Sequence, residues 1–79
     1  MNKEILSAYV AGAAACRVED VTMDGDTIVI ANTNLVSLCN MNSIADALKR
    51  ADIAYGKSFI YEYLPETGSS RLCIPEVKI

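Results

Sequence analysis

The chain has no histidine and no tryptophan among its 79 residues, and its four glycines stand far apart. Without histidine, neither a serine nor a cysteine nucleophile has its usual general base. Single, separated glycines do not form the loop that binds phosphate groups through its backbone. The sequence therefore predicts no catalytic and no cofactor-binding residue, and we expect that the protein is not an enzyme.

Cysteine is scarce as well, with Cys16, Cys39 and Cys73 at wide spacings and no C-x-x-C pair. This odd, scattered set fits neither the disulfide framework of a small secreted domain nor a metal site. We interpret the three as small buried side chains in a reducing cytoplasm. The alternative is a thiol-dependent small enzyme or redox sensor, whose reactive thiol is modified quickly in the native state.

Basic residues are the minority, since seven lysines and arginines stand against ten acidic residues, for a net charge of −3. Direct nucleic-acid binding is disfavoured, because neutralising phosphates needs a basic excess. Lys49, Arg50 and Lys57 are close in sequence, and we interpret them as cations near a helix C-terminus, where positive charge is favourable. The alternative is a small dimeric nucleic-acid-binding regulator that uses these three side chains.

Hydrophobic residues, in contrast, make up 52% of the sequence, and the mean hydropathy is +0.24. A chain of this length forms one domain, residues 1–79, that either packs its core very efficiently or leaves apolar surface for a partner. That partner includes a second copy in a homodimer. The uncharged run 5–16 is far short of the roughly 20 residues that span a bilayer. We expect a buried alanine-rich helix there, no membrane contact and a cytoplasmic protein.

Local patterns in the first half predict one helix followed by three strands. Asn2 caps a helix over 3–15, and alternating apolar and polar side chains predict a strand over 17–24. Asp24 and Gly25 are typical of a hairpin turn into a strand over 27–31, which is apolar on both faces and therefore central. A turn at 32–34 then leads to a third strand at 35–39.

The second half begins with another helix. Ser43 followed by Asp46 three residues later is typical of a capping box, so this helix is predicted to start at Ser43. Ile44, Ala47, Leu48 and Ala51 form its buried stripe, and Gly56 is predicted to end it.

A hairpin completes the chain, with a strand at 59–64, a polar loop at 65–70 and a last strand. Pro75 places that last strand at a sheet edge or ends its pairing there. The order α-β-β-β-α-β-β predicts an α+β fold. In it, two helices pack on a four- to five-stranded antiparallel sheet as a two-layer sandwich.

Four acidic residues gather around the first hairpin: Glu19, Asp20, Asp24 and Asp26. Asp20, Asp24 and Asp26 around Gly25 resemble part of a calcium loop, but the EF-hand spacing and its final glutamate are missing. A solvated hairpin face is the simplest interpretation. The alternative is a partner-binding site in which these carboxylates enter the basic groove of another protein.

Phe59, Tyr61 and Tyr63 alternate along one face of the predicted strand at 59–64. On a basic sheet such a stripe would stack nucleic-acid bases, but this chain is acidic. Aromatic residues favour half-buried sheet faces, which predicts core packing. If exposed, the same residues make a partner-binding surface, because tyrosine is a frequent interface anchor.

Together these observations favour a non-enzymatic protein–protein interaction module that acts by occupying a partner's surface. Small size, apolar excess and the lack of catalytic equipment carry this expectation. In general character, and not by any motif, the chain is comparable to small accessory proteins of phages and mobile elements. These include inhibitors of host defence such as anti-CRISPRs.

Overall fold

A computed structural model describes residues 2–32 and 40–78 of the chain. Its elements are α1 (Lys3–Ala14), a 3-10 turn (Val18–Asp20), β1 (Val21–Asp24), β2 (Thr27–Ala31), α2 (Met41–Arg50), β3 (Ile60–Leu64) and β4 (Ser69–Ile74). The predicted α+β class is confirmed, with two helices and a four-stranded antiparallel sheet in this part of the chain. The predicted third strand at 35–39, Cys39 and most of the preceding turn lie outside the described residues.

Helix α1 begins where its cap predicts. The Ile5 amide donates to the Asn2 side-chain oxygen at 2.8 Å, and Ala15 ends the helix in a left-handed conformation (φ 58°). Leu6, Val10 and Ala14 face the core. Neither α1 nor α2 has the length and apolar content needed to cross a membrane, and these are the helices of residues 2–32 and 40–78.

The first hairpin is shorter than predicted. Residues 17–20 are not a strand, because the Asp20 amide donates to the Arg17 carbonyl at 3.0 Å and closes a 3-10 turn. Asp24 pairs with Thr27, so the two loop residues are Gly25 and Asp26, one position later than predicted. Gly25 takes the positive φ of 63° that such a tight turn requires.

Helix α2 differs from the prediction at both ends. Ser43 lies inside the helix, and the cap is Asn40, whose side chain makes no capping hydrogen bond. Asp52, with φ 57°, ends the helix in place of Gly56. The Asp52 amide donates to the Lys49 carbonyl at 3.0 Å, and the Ile53 amide to the Leu48 carbonyl at 2.9 Å. These two bonds are those of a Schellman motif, which satisfies the last carbonyls of a helix.

The strand order in the sheet is β1-β2-β4-β3. Strand β2 is central, as its two apolar faces predict. The last strand, β4, is also central. Of the two alternatives predicted for Pro75, the edge position is therefore wrong, and the end of strand pairing there is confirmed. Pro75 follows the last residue of β4, Ile74, and therefore removes no hydrogen bond from the ladder.

The core lies between the helices and one face of the central strands. Its largest fully buried side chains are Leu6, Val10, Ile28, Ile30, Ile44, Leu48, Leu72 and Ile74. The Tyr9 hydroxyl donates to the Ala47 carbonyl at 2.7 Å and ties α1 to α2. After β4, the Lys78 amide donates to the Ala54 carbonyl at 2.8 Å, which fastens this segment to the chain that follows α2.

Candidate protein-binding surface

Strand β3 forms one edge of the sheet and pairs along one side with β4. Its register places Tyr61 opposite Leu72 and Tyr63 opposite Ser70. Residues paired across an antiparallel sheet lie on the same face, and Leu72 belongs to the core. The two tyrosines therefore lie on the helix side of the sheet, while Ile60 and Leu64 lie on its other face.

The side chains of β3 are exposed on both faces of the sheet. The exposed fractions are 46% for Ile60, 48% for Tyr61, 59% for Tyr63 and 41% for Leu64. These four residues are named here the β3 surface. In the described part of the chain, the other large hydrophobic side chains exposed to this degree are Ile5 and Val18, both in the first eighteen residues. Exposed apolar surface is thus concentrated on a single strand.

The three aromatic residues of the predicted stripe differ in burial, with Phe59 partly buried and Tyr61 and Tyr63 exposed. Phe59 is half-buried, packs against the core and has its ring centroid 5.6 Å from that of Tyr55. Core packing is therefore correct for Phe59 and wrong for Tyr61 and Tyr63. The difference arises because the helix layer does not extend over the edge strand.

Glu62, in the middle of β3, is paired with its cross-strand neighbour Arg71. The Arg71 Nε and Nη2 atoms donate to Glu62 Oε2 at 2.9 and 2.8 Å. These hydrogen bonds and the negative charge of Glu62 raise the pKa of Arg71 above its usual range. Both side chains are well exposed, so the pair adds little to stability. Its effect is to neutralise the one charged side chain of β3.

The four acidic candidates lie at the other edge of the sheet, in and beside β1. Glu19 is 3.9 Å from Arg17 Nε, and Asp20 accepts from Asn32 Nδ2 at 3.2 Å. Asp24 and Asp26 are exposed at the β1–β2 hairpin. Two strands separate β1 from β3, which at about 4.8 Å per strand spacing is roughly 14 Å. The acidic and aromatic candidates therefore do not form one surface.

The two described thiols are poorly suited to nucleophilic chemistry. Burial raises the pKa of Cys16, and nearby Asp20 raises it further. Burial also raises the pKa of Cys73, with Glu62 adding to the shift and Arg71 opposing it. A raised pKa lowers the fraction of reactive thiolate at neutral pH. Within residues 2–32 and 40–78, no group of three potential ligands is placed to hold a metal ion.

The basic candidates do not converge on one site. Lys49 and Arg50 are exposed in the last turn of α2. Lys49 lines an open groove together with Asp46 and Asp52, whereas Lys57 lines a neighbouring groove. Carboxylates beside Lys49 make that groove a poor place for a nucleic-acid phosphate.

Neither a family model, nor a curated protein, nor a solved structure matches this chain. The case for its function therefore depends on its own side chains and their positions. Two residues of the β3 surface, Ile60 and Leu64, were not predicted as partner-binding residues from the sequence. The signal for them was present in the strand Ile60–Leu64, where large apolar residues occupy both alternating faces.

Proposed function

We propose that this protein is a non-enzymatic protein–protein interaction module that binds its partner along strand β3. The observation that carries the proposal is the β3 surface, an edge strand with large exposed side chains on both faces. An edge strand presents backbone amides and carbonyls along its outer side, which a strand of another molecule can pair with. The backbone supplies hydrogen bonds, and the side chains supply selectivity.

The side chains of β3 suit such an interface. Tyr61 and Tyr63 are half exposed, and tyrosine buries a large area at low cost in conformational entropy. Ile60 and Leu64 offer aliphatic surface on the opposite face of the sheet. An added strand would therefore be held along its backbone and covered on both sides.

Natural sheets normally protect such an edge with lysine, proline or a bulge. Strand β3 contains none of these protective features, because its register with β4 is continuous from Ile60 to Leu64 and its one charge is neutralised by Arg71. Continuous pairing makes the edge regular, so that a second strand can follow it over its full length. The open edge is thus consistent with a binding role.

A more specific form of the proposal is a phage or mobile-element accessory protein that inhibits a host defence complex by covering its surface. It is supported by a binding strand that needs no catalytic group to cover a partner's surface. We place the protein in the cytoplasm, where the free thiols of Cys16 and Cys73 stay reduced.

The proposal is tested by comparing capture of partners from nuclease-treated bacterial lysate by three forms of the protein. These are the wild type, the double variant Tyr61→Lys/Tyr63→Lys and the control Ile5→Lys. Lysine on an edge strand opposes strand addition. Ile5 is as exposed as the tyrosines, at 56%, but lies in α1. We expect the β3 variant to recover at least tenfold less partner, a second copy of the chain included, and Ile5→Lys to match the wild type.

Equal recovery by the wild type and by the folded β3 variant would remove β3 from the binding function. Recovery of nucleic acid without protein would instead support the regulator alternative. Far-UV circular dichroism of each variant establishes that the fold is retained.

A further inference from the structure

This inference rests on the proposed function and names the partner of the same strand. We infer that the β3 surface binds a second copy of this chain. The two copies join by antiparallel pairing of their β3 strands around a two-fold axis at Glu62. The result is one continuous sheet of eight strands, four from each copy.

The sequence of β3 carries this inference because it is nearly palindromic. It is Ile-Tyr-Glu-Tyr-Leu, from Ile60 to Leu64. When two copies run antiparallel about Glu62, Ile60 faces Leu64 of the second copy and Tyr61 faces its Tyr63. Glu62 faces itself. In a two-fold interface residue i contacts residue j and residue j contacts residue i, and here each such pair joins side chains of one chemical type.

The match holds on both faces of the sheet. A two-fold axis perpendicular to the sheet keeps both helix layers on one side, so the tyrosines of both copies meet there. Cross-strand aromatic pairs are favourable in antiparallel sheets. Ile60 and Leu64 meet their counterparts on the other face. Because Tyr61 and Tyr63 are about half exposed on the helix side, the second strand reaches β3 without displacing a helix.

Charge is also accommodated in this register. Two glutamates directly opposite each other normally destabilise a sheet. Here each Glu62 is held by Arg71 of its own copy at 2.8 Å. The four side chains form a row, arginine–glutamate–glutamate–arginine, with no net charge.

The opposite edge of the sheet does not offer the same pairing. Strand β1 ends in Asp24, with Asp26 in the adjoining turn and Asp20 just before the strand. Two β1 strands brought together would place these carboxylates against each other, and Arg17 already pairs with Asp20 at 3.5 Å. Arg71, which also acts on Asp24, is hydrogen-bonded to Glu62. Among the described strands, β3 is the edge that a second copy fits.

The size of the interface predicts a reversible dimer. At about 150–250 Å² for a fully buried aromatic residue, the exposed halves of two tyrosines and two aliphatic residues amount to about 300 Å² per copy. Stable complexes bury about 1,200 Å² or more in total. We therefore expect a dissociation constant on the order of 10–100 µM.

The test is sedimentation equilibrium of the purified full chain between about 1 µM and about 1 mM, a range that brackets this affinity. We expect the mass to rise from 8.5 kDa to twice that value. Tyr61→Lys/Tyr63→Lys should weaken dimerisation at least tenfold, and Ile5→Lys should leave it unchanged.

A cysteine pair tests the register. Glu62→Cys places two cysteines at a Cα separation of about 4.5–5.5 Å across the axis, which a disulfide spans. Mild oxidation should therefore cross-link Glu62→Cys, and not the control Glu66→Cys, whose loop position lies beyond the paired strands. The wild type gives the background from native thiols.

A chain that stays monomeric at about 1 mM overturns the inference. So does a dimer that forms equally in the β3 variant. If in either case lysate capture still depends on Tyr61 and Tyr63, the proposed function stands and the partner is a different protein. If capture is also independent of β3, both proposals fail.

Discussion

At the scale of single residues, burial has its clearest effect on the pKa values of the two described thiols. Cys16 is half-buried at the end of α1, and Cys73 is 8% exposed in β4. Their raised pKa values have the same main cause, which is the loss of water around the charged thiolate. Both residues therefore act as small apolar side chains.

We expect both thiols to react slowly with Ellman's reagent in the native protein at pH 8, and quickly after unfolding in guanidinium chloride. Their native reaction rates should continue to increase as the pH rises above the ordinary thiol pKa of 9.0. A thiol that reacts in the native state as fast as free cysteine would support the redox alternative. Tryptic mapping assigns each reacted site.

The same shifts make stability depend on alkaline pH. A thiol whose pKa is higher in the folded than in the unfolded state holds its proton more tightly when folded. Its contribution is fully present below pH 9.0 and is lost as the pH rises through the folded-state pKa. The free energy of unfolding should therefore decrease in that window.

At the scale of elements, the two helices begin in different ways. Asn2 caps α1 through its side chain. In both helices the backbone carbonyl of the cap residue accepts a hydrogen bond, from Leu6 to Asn2 at 2.9 Å and from Ile44 to Asn40 at 3.0 Å. The Asn40 side chain makes no capping bond, and Ser43 is exposed in the first turn of α2. Of these two helices, only α1 begins with a hydrogen bond from a capping side chain.

Asn2→Ala should lower the free energy of unfolding by about 1 kcal/mol, because it leaves an amide of the first turn without its acceptor. Ser43→Ala should be neutral or stabilise by a few tenths of a kcal/mol, since alanine is the better residue inside a helix. Urea unfolding followed by circular dichroism measures both. A loss at Ser43 as large as that at Asn2 would restore the predicted capping box.

Elements with local causes were predictable from the sequence, and those with distant causes were not. Asn2, Gly25 and the alternating strands act through neighbours in sequence. Gly56 does not, because its amide donates to the Pro75 carbonyl at 2.8 Å, and an added Cβ would lie 3.1 Å from that oxygen. From the sequence alone, Gly56 could not be distinguished from a glycine that ends a helix, although its role is to let a distant segment come close.

At the scale of the whole molecule, the candidate site also has one feature that the local sequence predicts and one that depends on distant residues. The shared face of Tyr61 and Tyr63 follows from alternation and is confirmed by the register. Their exposure depends on which strand forms the edge. That is decided by the pairing of β2 with β4, in which Ile28 meets Ile74 across more than forty residues of sequence. No local pattern carries that information.

The whole sheet is asymmetric, with carboxylates at the β1 edge and exposed apolar side chains at the β3 edge. The double variant Asp24→Thr/Asp26→Asn removes two of the carboxylates. We expect it to form assemblies larger than a dimer at about 1 mM, seen as increased light scattering, because the β1 edge then accepts a strand as well. Glu66→Gln, a neutralisation in the β3–β4 loop, is the control. Unchanged scattering in the double variant would show that these carboxylates do not protect β1.

In the language of polymer chemistry, the dimerisation that we infer makes this chain a monofunctional unit, with one coupling end and one blocked end. Coupling of such units stops after a single step at any concentration, whereas units with two coupling ends grow into chains. In that proposed dimer the carboxylates beside β1 are an end group. They would fix the length of the product, while β3 would fix the place where coupling occurs.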